Sequence, residues 1–225
     1  MIPAEKIRSL HIIILWLLLL SVFSGVFAEG SSDLLTVAAE VPAAEAEIQA
    51  EPAKSGGKTL IVYFSHAGDN YAVGNIKVGN TKIVAGYIAE FTGADQFEIK
   101  TDKYDGMAYK PLCDLAKKEQ ENGEMPPYEG DIDVSQYETI FIGGPVWWGT
   151  YPQVMFTFLK KHDLSLKILI PFTTHEGSGL GNCLQDLTKL YPRATVRQGL
   201  AIYGHDAKTS KDRVEQFLKK QGYLK

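Results

Sequence analysis

The stretch Thr59 to Thr81, TLIVYFSHAGDNYAVGNIKVGNT, restricts the fold more than any other part of the chain. Leu60, Ile61, Val62, Tyr63 and Phe64 are apolar at every position, which is the pattern of a strand covered on both faces. Such strands belong to parallel sheets with helices packed above and below. The run stops at Ser65-His66-Ala67-Gly68, and a second small-residue step, Gly79-Asn80-Thr81, opens an amphipathic pattern. A buried strand, a turn rich in Gly, Ser and Thr, and a helix N-terminus together build an anion site. Free N–H groups and hydroxyls converge there, and the helix dipole favours negative charge. The spacing predicts a phosphate on a nucleotide-like ligand.

Downstream, apolar runs keep alternating with helical patterns. Ile83, Val84, Tyr87, Ile88 and Phe91 fall at helical spacing before Gly93. Gln96–Ile99 reads as a short, more polar edge strand, and Pro111–Asn122 as a helix stopped by Gly123. Thr139–Ile142 is a third strand ending at Gly143-Gly144-Pro145, followed by a helix over Gln153–Lys161. Lys167–Thr173 and Val196–Tyr203 are the fourth and fifth strands, with a helix over Gly181–Leu190 between them. Lys208–Gln221 closes as a helix with Val214, Phe217 and Leu218 inward. Alternation of this kind predicts βαβ units, hence an α/β, doubly wound, five-stranded parallel sheet in one domain over residues 58–225.

The N-terminal quarter reads differently. Lys6 and Arg8 precede the apolar stretch Ile12–Phe23, and Val26-Phe27-Ala28 offers small residues for cleavage before Glu29. This is a secretory signal pattern over residues 1–28, the rival reading being an uncleaved membrane tether. Residues 29–57 are rich in Ala, Glu, Pro, Ser and Gly and read as a disordered linker. Either reading places the domain outside the cytoplasm, as a periplasmic, secreted or membrane-anchored protein. From Lys58 onward the chain holds 20 basic and 20 acidic residues. That balance lacks the basic footprint of a nucleic-acid binder. Cys113 and Cys183, the only cysteines, read as one small apolar residue on each of two helices, although pairing in an exported protein stays open.

Three strand-end loops carry unusual content, following the first, third and fourth strands. In open α/β sheets ligands bind beyond the carboxyl ends of the strands. The first loop, Ser65–Thr81, has no G-x-x-x-x-G-K-[ST] pattern and no G-x-G-x-x-G, so a nucleoside triphosphate or a dinucleotide is poorly supported. A monophosphate held by neutral donors fits better. The second loop, Pro145-Val146-Trp147-Trp148-Gly149, sets two adjacent indoles among Gly and Pro, which predicts one of them exposed toward a flat aromatic ligand. The third, Thr173-Thr174-His175-Glu176-Gly177-Ser178-Gly179, has closely spaced glycines beside hydroxyls, as where backbone approaches a ligand.

A strand ending in Ser-x-x-Gly, a loop Pro-Val-Trp-Trp-Gly and a loop Thr-x-x-Gly-Ser-Gly resemble the flavodoxin family of FMN-binding proteins, across essentially all of residues 58–225. The resemblance implies strand order 2-1-3-4-5 and FMN as cofactor at the switch point between strands one and three. It implies Ser65, His66, Ala67, Gly68, Asn80 and Thr81 around the phosphate. Pro145, Val146, Trp147, Trp148 and Gly149 would border the ring, with Thr173, Thr174, His175, Gly177 and Gly179 at its other edge. No catalytic side chain and no metal ligand is implied. The chain departs from the family at Asp69–Val78, an excursion inserted into the phosphate turn that includes Tyr71 and could cap the ring. The expected role is an exported carrier of electrons between redox partners, protein or small molecule. The alternatives are an FMN-dependent NAD(P)H quinone or nitro-compound reductase and a non-redox binder. Seven acidic residues without a Lys or Arg between Glu119 and Glu138 suggest a patch for a basic partner.

Overall fold

Leu60, Ile61 and Val62 are completely buried, as a strand with apolar residues at every position requires, and the rest of the sheet assembles around them. The computed structural model describes residues 57–224. The signal pattern and, up to its last residue, the linker therefore lie outside the described residues.

The strands are β1 (Lys58–Phe64), β2 (Gly68–Asn70), β3 (Gly74–Ile76), β4 (Asp95–Ile99), β5 (Tyr137–Pro145), β6 (Ile168–His175), β7 (Thr195–Val196) and β8 (Leu200–Tyr203). The helices are α1 (Asn80–Thr92), α2 (Tyr109–Asn122), α3 (Gln153–Lys161), α4 (Cys183–Leu190) and α5 (Lys211–Lys220), with a 3-10 segment at Gly204–Thr209. The main sheet runs β4-β1-β5-β6, with β7 and β8 both on the outer side of β6, and its pairings are parallel. This is the expected 2-1-3-4-5 order, with the fifth strand in two pieces.

Alternate residues of each central strand feed two cores. Leu60, Val62, Ile140, Ile142 and Leu169 pack with Leu112 of α2, Phe158 of α3 and Leu187 of α4. Ile61, Phe141, Ile170 and Phe172 pack with Val84 and Ile88 of α1 and Val214 and Leu218 of α5. The helix after β1 therefore covers one face and the helix after β5 the other. Between these neighbouring strands the chain opens a crevice at their carboxyl ends. Among the described residues no helix is long and apolar enough to cross a membrane.

Four local departures from the sequence reading have physical causes. The fifth strand is interrupted between Val196 and Leu200, opposite Pro171 of β6, which has no N–H to donate to a ladder. The helix expected from Gly181 starts at Cys183, because Gly181 sits at φ 50°, outside the helical region. The last helix begins at Lys211, its predicted first turn being part of the 3-10 segment. The excursion Asp69–Val78 contains an antiparallel hairpin, β2–β3, whose three-residue strands are too short to show a period in sequence. The cysteines are free thiols, Cys113 half-buried on α2 and Cys183 buried at the start of α4.

Candidate functional site

A groove of about 370 Å³ lies over the carboxyl ends of the central strands. Its walls come from the hairpin (Asp69, Asn70, Tyr71, Val73), the start of α1 (Asn80), α2 (Tyr109, Leu112, Cys113, Ala116), the end of β5 and the turn after it (Pro145–Trp148), the end of β6 and the turn after it (Thr174, His175, Glu176, Ser178), and Gly204. The volume lies within the range of small-molecule and cofactor sites.

At its polar end, the start of α1 is held open by the turn before it. The Ser65 hydroxyl accepts a hydrogen bond from the Lys82 amide at 2.9 Å, serving the third amide of the helix. Gly79 makes this contact possible, since a Cβ there would lie 2.2 Å from Ser65 Oγ and 2.6 Å from the His66 carbonyl. The amides of Asn80 and Thr81 have no acceptor among the described residues, and they stand at the N-terminus of a 13-residue helix. The Thr81 hydroxyl is buried in a 2.7 Å bond with that of Thr174, which fastens α1 to the end of β6. Unpaired first-turn amides are donors for an anion, reinforced by the helix dipole.

The aromatic end is built from two tryptophans with opposite roles. Trp147 is half-buried and meets Tyr104, Phe64 and His66 edge to face, with ring centroids 5.2, 5.6 and 5.8 Å away. Its backbone exchanges hydrogen bonds with Thr150 across a four-residue turn whose central residues, Trp148 and Gly149, have φ of 49° and 84°. Two positive φ values in succession define a type I′ turn, an uncommon setting for a bulky residue. The Trp148 ring is half exposed and lies along α2, with Nε1–H donating to the Cys113 carbonyl at 2.9 Å and Lys117 Nζ 5.2 Å from its centre. One of the two indoles is thus anchored in the fold and the other is exposed, as the loop sequence predicts.

The hairpin adds the opposite side of the mouth. Asp69 accepts a hydrogen bond from the Tyr109 amide at 2.9 Å, capping α2 where Ala108 offers no side-chain oxygen. The Tyr71 and Tyr109 rings lie 5.8 Å apart and 30° from parallel. Sequence reasoning noticed Tyr71 but missed Tyr109, Leu112, Cys113 and Ala116. The apolar groove-facing positions of α2 repeat at helical spacing, a pattern that a core-facing helix shares.

At the far rim, His175 is buried against Tyr203, ring centroids 4.4 Å apart. Burial holds its pKa below the ordinary histidine value. Its Nδ1 accepts the Gly177 N–H at 2.9 Å, so the neutral ring carries its proton on Nε2. Glu176 accepts the His205 amide on Oε1 at 2.9 Å and meets His205 Nδ1 through Oε2 at 2.6 Å. That hydrogen bond raises the His205 pKa above its usual value.

Of the residues expected around a ligand, Asn80, Pro145, Val146, Trp147, Trp148, Thr174 and His175 line the groove together. Ser65, His66 and Ala67 instead border a neighbouring cavity of about 300 Å³ with Lys100, Asp102 and Asp105. The excursion loops out as the hairpin and returns, so that Gly79 packs directly against Ser65 and the His66 carbonyl. In that cavity His66 is buried, its Nε2 has no partner, and burial lowers its pKa. Gly68, Thr81, Gly149, Thr173, Gly177 and Gly179 shape the walls without lining the groove. The Thr173 hydroxyl, for instance, donates to the Gly179 carbonyl at 2.9 Å.

In the acidic run Glu119–Glu138, Glu121, Glu129, Asp131, Asp133 and Glu138 are exposed, whereas Glu119 is not. Glu119 is fully buried, with the Tyr104 hydroxyl donating to Oε2 at 2.9 Å and Lys103 Nζ 2.7 Å from Oε1. Lys117, Lys103 and Lys161 pair with Glu121, Glu124 and Asp131. The Tyr104 ring joins this network to Trp147. Tyr104→Phe keeps the ring and leaves a buried carboxylate oxygen unserved, so it should lower the unfolding free energy by about 1–3 kcal/mol in a urea titration.

The comparisons agree with this architecture. The sequence model of a family described as flavodoxin matches residues 58–221. No curated protein matches the chain significantly. A solved Bacteroides uniformis structure, described as a flavoprotein, is 28% identical over 73% of this chain and 99% of its own, with a TM-score of 0.60. A Lactobacillus acidophilus flavoprotein solved in complex with FMN is 22% identical over 71% of this chain and 99% of its own, with a TM-score of 0.52. That second likeness is one of fold.

Proposed function

We propose, from the premise that this chain belongs to the flavodoxin family, that the groove binds FMN and that the protein carries electrons between redox partners outside the cytoplasm. One observation carries the reading: the unpaired N-terminus of α1, whose Asn80 lines the groove, and a set of aromatic walls meet at one groove of cofactor size. The donor set fits the cofactor. The amides of Asn80 and Thr81 and the side chain of Asn80 would hold a terminal phosphate without a lysine. Trp147, Trp148 and Tyr109 would enclose a flat ring, and burial among aromatic and apolar groups excludes water from it.

FMN, when bound, supplies the one- and two-electron chemistry. The side chains here bind and orient. Trp147, wedged against Phe64 and Tyr104, fixes the plane of one wall. His175, neutral with its proton on Nε2, offers a hydrogen-bond donor on the rim. The export half of the proposal is supported by the signal pattern at residues 1–28, and a mature N-terminus at Glu29 in protein recovered from its host would bear it out.

The first test is the small molecule released on denaturing the natively purified protein. FMN, identified by mass at close to one equivalent, is the expected result. A colourless protein that also refuses added FMN would contradict the reading.

A second reading has its own supporting feature. The hairpin brings Tyr71 beside Tyr109 and narrows the mouth, which suits a small acceptor better than docking a protein. An FMN-dependent reductase of quinones or nitro compounds would bleach within a rapid mix with NADH or NADPH. A pure carrier would stay oxidised with both.

A further inference from the structure

We propose that Tyr104, with Glu119 as its proton acceptor, is an internal electron donor to the groove, reached through Trp147. The inference rests on the FMN reading and adds an activity to it: refilling of the light-excited ring, one electron at a time, from inside the fold.

Three features line up behind one wall of the groove. Trp147 lines the groove and also meets Tyr104 edge to face, ring centroids 5.2 Å apart and planes at 84°. That separation is direct contact for an aromatic pair. Tyr104 is buried, and its hydroxyl donates at 2.9 Å to Oε2 of Glu119, which is fully buried as well. Lys103 Nζ lies 2.7 Å from the other carboxylate oxygen and is itself partly exposed. Burial, seconded by the charge of Glu119, pushes the Tyr104 pKa far above the ordinary tyrosine value, so the phenol keeps its proton at rest.

The neighbours single out this route. Phe64 and His66 also touch Trp147, but Phe64 has no proton to release and His66 Nε2 has no partner to release one to. Trp148, the other indole of the groove, has Lys117 Nζ 5.2 Å from its ring centre, and a cation there opposes positive charge on the ring. The steps balance. Trp147 gives one electron to the light-excited ring and becomes a radical cation. Tyr104 returns one electron to Trp147, and its phenolic proton moves along the existing hydrogen bond to Glu119. One O–H bond breaks on Tyr104 and one forms on the carboxylate, leaving a neutral tyrosyl radical beside a neutral acid. Losing the proton with the electron keeps an uncompensated positive charge out of a buried aromatic cluster. Return of the electron to Tyr104 and of the proton from Glu119 restores the starting state.

Flash excitation of the FMN-loaded full-length protein, followed by transient absorption, tests the relay. In the wild type an indole radical should decay as a neutral tyrosyl radical rises, and the rise should slow in D2O. Tyr104→Phe should abolish the tyrosyl signal, and its indole radical should vanish at least about ten-fold faster than the wild-type tyrosyl radical does. Glu119→Gln keeps the volume and an acceptor oxygen but not the base, and should lower the tyrosyl yield at least about ten-fold. Should that variant fail to fold, the D2O effect in the wild type answers the same question. Absence of a tyrosyl radical in the wild type overturns the proposal. So does an undiminished signal in Tyr104→Phe, which would assign it to Tyr71 or Tyr109 in the groove. A rise indifferent to D2O overturns the role of Glu119. A protein that takes up no FMN would instead remove the reading on which the relay stands.

Discussion

Gly79→Ala should weaken FMN binding by at least about 100-fold, close to 3 kcal/mol, and also destabilise the fold. The methyl group would sit 2.2 Å from Ser65 Oγ and 2.6 Å from the His66 carbonyl, distances that no Cβ tolerates. Relief needs either the serine to leave the Lys82 amide or the whole first turn of α1 to back away. The first costs a helix cap, about 1 kcal/mol. The second moves the Asn80 and Thr81 amides, and hydrogen bonds to a charged group contribute about 1.5–3 kcal/mol each. Overpacking adds about 1–3 kcal/mol to the loss of stability. Titration of flavin-free protein with FMN, alongside a urea melt, reads both effects. Wild-type affinity in this variant would mean that the phosphate does not sit at the start of α1.

Trp147→Ala should cost about 3–5 kcal/mol of stability, whereas Trp148→Ala should cost under about 1 kcal/mol. The two residues are adjacent in sequence and opposite in setting. Trp147 completes an aromatic cluster with Phe64, Tyr104 and His66, behind which lies the buried Glu119 network. Removing it leaves a hole beneath the groove. Trp148 is half exposed and held at a φ of 49°, so truncation loses one hydrogen bond to Cys113 and little packing. Urea midpoints of the two variants, measured without and with FMN, separate the anchor from the exposed wall. Equal destabilisation by both would contradict the division of roles.

Much of this was legible in the chain because it depends on local pattern. The continuous apolar run Leu60–Phe64 marked the central strand, and Gly93 and Gly123 marked the ends of α1 and α2, where they adopt left-handed φ values of 67° and 63°. The three loops that gather at the groove were found because Gly, Ser, Thr and Trp at strand ends have few structural uses. What escaped was set by contacts between distant segments. The division of Val196–Tyr203 depends on Pro171 in a neighbouring strand. The second cavity beside Ser65 and His66 is completed by Lys100, Asp102 and Asp105 from far along the chain, and no property of those residues announces it. The ion pairs within the acidic stretch from Glu119 were hidden because their lysines, Lys103, Lys117 and Lys161, lie outside it in sequence. The Glu176–His205 pair was equally hidden, its members 29 residues apart and joined only through the packing of Gly204 against α1.

The claim on which the rest depends is that the free first-turn amides of α1 receive a phosphate while the aromatic walls receive its ring. Calorimetric titration of one flavin-free preparation with FMN and with riboflavin, at equal ionic strength, tests it most directly. FMN should bind one to one and riboflavin at least about 100-fold more weakly, since riboflavin keeps the ring and lacks the phosphate. Equal affinities would place the binding energy in the ring alone and contradict the account.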